Sequence, residues 1–261
     1  MEGNNDMEFP GTIKAILAKR EDITSHLAHF SFKLDQPFPF EPGQYAMIVV
    51  DNEGRPLQRA YSIYSSPDTE FLEFLIELVD HGQMTPKLWK LQVNDVVNIR
   101  ERAAGRFSLD KESGKTNHLF VATVTGTAPF HSMIMNYKSD LEKGIATEKY
   151  KFALLVGVSD PTEVNSFDAE LKALASEVDW LTYVPTVSRP WDAPAWSGEI
   201  GRVDEILRKY ADQLGFTAEN TIAYACGNPT MISNVQGITK RMKFAEGQCK
   251  EEKYYSVKPT A

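Results

Sequence analysis

Apolar positions recur in short, alternating runs through the first hundred residues. The segments Thr12–Lys19, Leu27–Leu34, Gln44–Val50, Ala60–Tyr64, Phe71–Val79 and Val96–Arg100 are β-rich, and several alternate in polarity. Turn residues separate them: Pro37 and Pro39, Pro42-Gly43, Asn52 to Gly54, Ser65 to Pro67 and His81-Gly82. Six strands so spaced predict a closed antiparallel β-barrel, with one short helix around Thr85–Leu91. A polar stretch, 109–117, reads as a linker between a first domain, 1–108, and a second, 118–261.

From residue 118 the pattern changes to strand–helix alternation, with strands predicted at 118–123, 150–158, 180–187 and 220–226. The clearest helix is Val203–Leu214, whose apolar residues at 203, 206, 207, 210, 211 and 214 share one face, with Gly215 placed to end it. Alternating β and α predicts an α/β doubly wound parallel sheet, whose ligands sit beyond the carboxyl ends of the strands.

Composition narrows the functional classes. At 261 residues, 42% hydrophobic and 25% charged, the chain is rich enough in apolar residues to build real cores. A net charge of −8 argues against nucleic acid, whose binding needs a basic face. The longest apolar runs, Tyr45–Val50 and Phe152–Val158, fall far short of the ~20 residues of a spanning helix, so no membrane partner is expected. The polar, acidic start Met1–Asp6 does not read as a signal peptide. A cytoplasmic location and a disordered 1–8 are expected. Two cysteines, Cys226 and Cys249, hold neither a disulfide framework nor a four-thiolate iron–sulfur cluster. The five histidines show no metal spacing, and His26 and His29 read as surface residues of a strand. No metal site is expected.

Three segments carry candidate chemistry. Thr125-Gly126-Thr127-Ala128-Pro129 follows a strand and opens a helix, where backbone N–H groups make an anion site. One glycine is not G-x-G-x-x-G, so a plain strand-to-helix turn is an equal reading. Cys226-Gly227-Asn228-Pro229 again runs from strand to helix, and its small residues leave room for a flat ring, against the simpler reading of a buried cysteine. Arg59-Ala60-Tyr61-Ser62 offers a phosphate fork, a stacking face and a hydroxyl along one strand.

In this order, these segments resemble the ferredoxin–NADP⁺ reductase superfamily over nearly the whole chain, and most closely its bacterial ferredoxin/flavodoxin reductases. Arg59–Ser62 matches R-x-Y-S, and Gly82-Gln83-Met84-Thr85 matches a G-x-x-[ST] turn. Gly105–Leu109 matches G-x-F-x-L, Thr125–Phe130 the tail of G-T-G-x-A-P-F, and Cys226–Met231 C-G-N-P-x-M. The resemblance implies FAD on the barrel, with Arg59 on its pyrophosphate beside Ala60, and Tyr61 stacked on its ring. Ser62 would lie near flavin N5, with the Gly82, Met84, Thr85 turn receiving the pyrophosphate. It implies NADP(H) across the second domain, its diphosphate at Thr125, Gly126, Thr127 and Pro129 and its nicotinamide by Cys226 and Gly227. Ser188, Arg189 and Arg202 would read the 2′-phosphate, although nearby Asp192 suits an unphosphorylated ribose. Tyr255, with Tyr254 as second choice, would cover the flavin where nicotinamide must lie. Catalytic roles fall to Ser62, Cys226 and Tyr255.

The implied function is hydride transfer between NADP(H) and flavin, and single-electron exchange with ferredoxin or flavodoxin. A local basic excess over 87–106 (Lys87, Lys90, Arg100, Arg102, Arg106 against Asp95 and Glu101) would steer an acidic carrier or simply be a solvated face. Two departures stand out. Val124 replaces the first glycine of G-T-G, and a β-branched residue is not expected at φ > 0. Ser159 replaces an arginine of the family. Two alternatives stay open: an electron-transfer subunit of a larger NAD(P)H-oxidising complex, and a flavin-binding module without nucleotide turnover.

Overall fold

The computed structural model describes residues 9–164, 168–192 and 196–254. Strands β1 (Thr12–Asp22), β2 (Leu27–Leu34), β3 (Tyr45–Asn52), β4 (Arg55–Ser62), β5 (Leu72–Glu77) and β6 (Val96–Arg100) form one antiparallel sheet in the order β4-β3-β6-β1-β2-β5. A single helical turn, α1 (Thr85–Leu88), lies between β5 and β6. Alternation drives the curl. Ile13, Ala15 and Leu17 of β1 face inward onto Phe30, Phe32, Ile48 and Phe74, all buried. A register shift between Leu17 and Lys19 marks a bulge that bends β1. The seam between edge strands β4 and β5 carries no ladder. It is bridged just past β4, where Tyr64 N donates to Glu73 O at 2.8 Å and Glu73 N donates to Ser65 Oγ at 3.1 Å.

The second half is a parallel sheet, β10-β9-β8-β7-β11-β12, built from β7 (Asn117–Thr123), β8 (Lys151–Val158), β9 (Leu181–Val187), β10 (Glu199–Ile200), β11 (Thr221–Gly227) and β12 (Cys249–Lys253). Helices α2 (Ala128–Glu142), α3 (Asp168–Glu177), α4 (Val203–Leu214) and α5 (Pro229–Arg241) cover it. Every residue of β11 is buried, as a strand covered on both faces requires. Strand order reverses between β7 and β11, which makes their carboxyl ends the switch point. Helix α4 spans the predicted residues, and Gly215 ends it in the left-handed region at φ 67°. Strands β10 and β12 were not anticipated. One has two residues, and the other, Cys-Lys-Glu-Glu-Lys, has no apolar alternation because it is an edge strand. Among the described residues no helix is long and apolar enough to cross a membrane, and no His/Cys/Asp/Glu group is arranged to hold a metal ion.

His118 sits on β7 with no exposure, between the rings of Phe120, Tyr150, Phe152 and Tyr224. Its Nδ1 lies 3.2 Å from the Tyr224 hydroxyl, and Nε2 has no hydrogen-bond partner among the described residues. Burial pushes the imidazole down from 6.5 to about 4, so the fold holds it neutral. A depressed histidine stabilises the fold fully above its unfolded pKa, and that stability is lost as pH falls from 6.5 toward 4. The loss amounts to about 3 kcal/mol at most. His118→Leu is therefore expected to flatten the decline in unfolding free energy over that window. An unchanged slope in urea titrations between pH 6.5 and 4 would refute this account.

Candidate functional site

The first wall of the site is β4. As an edge strand it leaves Arg59 and Ala60 exposed, half-buries Tyr61 and buries Ser62. Arg59 holds its guanidinium to the strand, Nη1 donating to Gln58 O at 2.8 Å. The Tyr61 ring meets Phe74 edge-on at 6.4 Å, and burial raises its phenol well above the ordinary value. Beyond β5, Gly82 N donates to Val79 O at 2.8 Å. The Thr85 hydroxyl accepts from Val79 N at 2.9 Å, tying the turn to the start of α1, where Met84 is buried. A Cβ on Gly82 would come to 3.0 Å from Val79 O, so the turn is compact.

The second wall is the switch point. After β7 the chain makes a tight turn, Val124–Thr127, and enters α2 with Pro129 in its first turn. Gly126 is pressed on the end of β11, where a Cβ would lie 2.3 Å from the Cys226 carbonyl oxygen. A Cβ on Gly227, which stands at φ 118°, would come equally close to Thr123 Oγ1. That hydroxyl accepts from Asn228 N at 2.9 Å, and the Asn228 side chain caps α5. Two glycines thus let the carboxyl ends of β7 and β11 close into one cradle lined by backbone, with the N-termini of α2 and α5 beside it. Val124 lies in this turn at φ 41°. The expectation that a β-branched residue avoids the left-handed region is overturned here, because packing at the switch point imposes the conformation.

The walls meet at Ser62. Its hydroxyl donates to Glu252 Oε1 at 2.7 Å and accepts from the Tyr254 hydroxyl at 2.6 Å. Parallel register sets Cys226 beside Glu252, and Tyr254 N donates to Gly227 O at 2.9 Å. Burial raises the Glu252 carboxyl against the lowering effect of the Ser62 bond, and burial keeps the Cys226 thiol neutral. Sequence reasoning named Ser62 and Cys226 but not Glu252. Its signal lay in the acidic-aromatic run Glu252–Tyr255, where a period of two puts Glu252 and Tyr254 on one side. Tyr255 lies outside the described residues, and the aromatic that reaches Ser62 is Tyr254.

At the far end, β9 and β10 pair Val187 with Ile200, which sets Ser188 and Arg189 beside Gly201 and Arg202. Ser188 N and Oγ both donate to Val158 O, and Arg189 N donates to Ser159 O at 3.0 Å. The guanidinium of Arg189 is exposed, and that of Arg202 half-exposed. The side chain of Asp192 lies outside the described residues.

Comparison with known proteins accords with this geometry. Residues 14–108 match a family model described as oxidoreductase FAD-binding domain, and residues 120–237 one described as oxidoreductase NAD-binding domain. A flavodoxin/ferredoxin–NADP reductase of Shigella flexneri is 30% identical over 212 residues, covering 80% of this chain and 83% of that one. The chain belongs to the flavodoxin/ferredoxin–NADP reductase family. The reductase component of phenol 2-monooxygenase from Pseudomonas sp. strain CF600 is 27% identical and covers 96% of this chain, which spans 66% of it. A ferredoxin NADP⁺ reductase from Neisseria gonorrhoeae, solved with bound FAD and NADP, shares the fold with a TM-score of 0.79 at 24% identity, covering 94% of this chain and 99% of that one.

The residues present fit the two cofactors of this reductase family. An uncovered stretch of edge strand with an arginine and a half-buried tyrosine suits a flat ring and its diphosphate. The backbone-lined cradle at the carboxyl ends of β7 and β11, which the close approach at Gly126 and Gly227 forms, suits a second nucleotide. Val124 tests the cradle's strain directly. Alanine and glycine both remove the isopropyl group, but only glycine tolerates a φ of 41°. Val124→Gly is therefore expected to be more stable than Val124→Ala by about 1 kcal/mol, the reverse of the usual order. Thermal unfolding that ranks alanine above glycine would show the turn to be unstrained.

Proposed function

We propose that this reductase exchanges hydride between NADP(H) and FAD and passes electrons singly to a ferredoxin or flavodoxin. The observation that carries the reading is the contact of Ser62 with Glu252 and Tyr254, which joins the two cofactor walls through one hydroxyl. In this assignment residues 1–108 are the flavin domain, 109–117 the linker and 118–261 the nucleotide domain. Arg59 holds the flavin diphosphate with the turn at Gly82, Met84 and Thr85, while Ala60 and Tyr61 underlie the ring. The N–H groups of Thr125, Gly126 and Thr127, with Pro129 starting α2, hold the dinucleotide diphosphate. Cys226 and Gly227 form a small, uncharged ledge for the nicotinamide, since burial keeps the thiol protonated. Tyr254 lies over this ledge and moves aside when nicotinamide enters. Ser188, Arg189 and Arg202 receive the 2′-phosphate, which makes NADPH the preferred reductant.

FAD, when bound, supplies the conversion between a two-electron hydride and single electrons. Charge balance then gives Ser62 and Glu252 their work. A hydride carries one proton with its two electrons, and once both electrons have left singly that proton has to leave as well. Ser62 Oγ takes it at the reacting centre and hands its own proton to Glu252 Oε1, the oxygen it already touches. Glu252 must be ionised to accept it. Because burial raises this carboxyl, the requirement fails at a higher pH than for an exposed glutamate.

The isolated chain is expected to purify yellow, to bleach with NADPH in the absence of oxygen and to reduce added ferredoxin unaided. Turnover should fall as pH drops through the raised Glu252 value. Glu252→Gln is expected to lose about a hundredfold of that turnover and the acid limb with it, with NADP⁺ affinity retained. A variant with wild-type turnover and pH profile would end the proton role. Bleaching without ferredoxin reduction would instead favour an electron-transfer subunit, a reading supported by the likeness to a monooxygenase reductase component.

The carrier's approach has its own signature. Lys90, Arg102 and Arg106 are exposed on a chain of net charge −8, whereas Arg100 is engaged by Gln58 and the Pro10 carbonyl. A local positive field of this kind steers an acidic carrier and is screened by salt. The second-order rate of ferredoxin reduction is expected to fall severalfold between about 50 and 500 mM salt. A rate indifferent to ionic strength would remove these residues from docking.

A further inference from the structure

Arg202 is held through its backbone and paired through its side chain. Its backbone is fixed first. Gly201 N donates to Val187 O at 2.9 Å, and the buried Thr186 hydroxyl donates to Gly201 O at 2.9 Å. Arg202 N donates to Glu205 Oε2 at 3.2 Å, so the residue is clamped between the end of β9 and the start of α4. The side chain is fixed second, by Asp204 in the first turn of α4. That carboxylate is only 7% exposed. Its Oδ2 accepts from Asn234 Nδ2 of α5 at 2.8 Å, which fixes the orientation of the group. Its Oδ1 is fully buried, receives no hydrogen bond among the described residues, and lies 3.3 Å from Arg202 Nε. A buried carboxylate is unfavourable unless a cation neutralises it, and Arg202 is the cation paired with it among the described residues. The contact is made at Nε, while 49% of the Arg202 side chain stays exposed.

We propose that Asp204 is a positioning residue: anchored by Asn234, it holds Arg202 at Nε so that the guanidinium fork is ready for the 2′-phosphate of the adenosine end, and thereby sets the preference for NADPH over NADH. The inference rests on the reading of Arg202 as a 2′-phosphate ligand. An arginine free to rotate loses conformational freedom each time it binds phosphate, and one already held by its inner nitrogen loses less. An exposed ion pair on a helix contributes little, but this carboxylate is buried and held from its other side. The opposite effect is also physical, since a carboxylate beside the guanidinium weakens its field and competes with phosphate. The two effects predict opposite signs.

The test compares adenosine 2′,5′-bisphosphate with adenosine 5′-monophosphate, titrated into the flavin-loaded protein by calorimetry, alongside kcat/KM for NADPH and NADH. Asp204→Asn is expected to weaken the bisphosphate about tenfold and leave the monophosphate unchanged, with the NADPH preference falling in parallel through KM. Asn234→Ala, which removes the anchor but no charge, should shift the same ratio in the same direction by less. The double variant Arg202→Ala/Asp204→Asn should be no worse than Arg202→Ala alone. Equal losses for both probes would reduce Asp204 to a support of the fold, and tighter bisphosphate binding in Asp204→Asn would make it a competitor; either overturns the proposal. If Arg202→Ala keeps full discrimination between the probes, the 2′-phosphate reading itself fails. If only Arg202→Ala loses it, that reading stands and the role of Asp204 falls.

Discussion

Everything at this site depends on how α2 is fastened to the chain just after Ser62. His131 Nδ1 lies 2.9 Å from the Tyr64 carbonyl oxygen, which can only accept, so this nitrogen carries a proton. Its ring stacks on Tyr64 at 3.7 Å and 13°. The Ser132 hydroxyl donates to Ser65 O at 2.7 Å, and about two and three turns further along Ser139 and Lys143 both hold Asp68. The helix whose first turn offers N–H groups to a nucleotide is thus fastened to the strand that ends in Arg59–Ser62. Leu27, Tyr64, Leu75 and Phe107 from the first domain lie in the same apolar cluster as Phe120, Phe130 and Phe152 of the second. A boundary packed as a core, not as a wet interface, fixes the two walls to within a hydrogen bond, which a hydroxyl shared by two domains requires.

That fastening explains how much of the site was legible in the residues. Arg59–Ser62, Gly82–Thr85, Thr125–Pro129 and Cys226–Gly227 each carry a local signature, because glycine, proline and strand-end positions are dictated by nearby backbone. Helix α4 was legible for the same reason: its apolar stripe and Gly215 are local facts. Strand β12 was not. Its five residues form a strand because β11 offers an edge, and nothing within Cys249–Lys253 announces that partner. Glu252 therefore stayed hidden and Tyr254 ranked second to Tyr255, since they stand 190 and 192 positions from the serine they bind. The start of β4 was equally opaque: Arg55-Pro56 looks like a turn, and only an edge strand accepts its proline.

Val124 shows the limit of residue preferences. Its type argues against positive φ, and it adopts φ 41° in a turn held on both sides. Thr123 is bonded to Asn228, and Gly126 is pressed against Cys226. A turn trapped between two fixed points takes the dihedral that remains, whatever residue occupies it. The same logic bears on the titratable groups. Glu252 and Cys226 lie at the seam between domains, where burial outweighs every nearby partner, so both are held toward their protonated forms by one cause. Only the carboxyl is in hydrogen-bond contact with Ser62, which separates a group able to exchange a proton from one that fills space.

The adenosine end is organised by register instead of by burial. Parallel pairing of Val187 with Ile200 brings together Ser188, Arg189 and Arg202, which no local motif unites. In a parallel sheet the residues just past neighbouring strands always emerge at the same edge, so cations placed there converge without any contact between them. Convergence alone leaves each guanidinium free to turn. Arg189 is exposed and donates its backbone N–H to Ser159 O, whereas Arg202 meets a buried acid braced from α5. The sheet thus presents two arginines at one edge, of which Arg202 is paired with a braced acid. In the proposed assignment, discrimination between two dinucleotides that differ by one phosphate falls on Arg202, because an ordered fork surrenders less freedom on binding than one that must first be ordered.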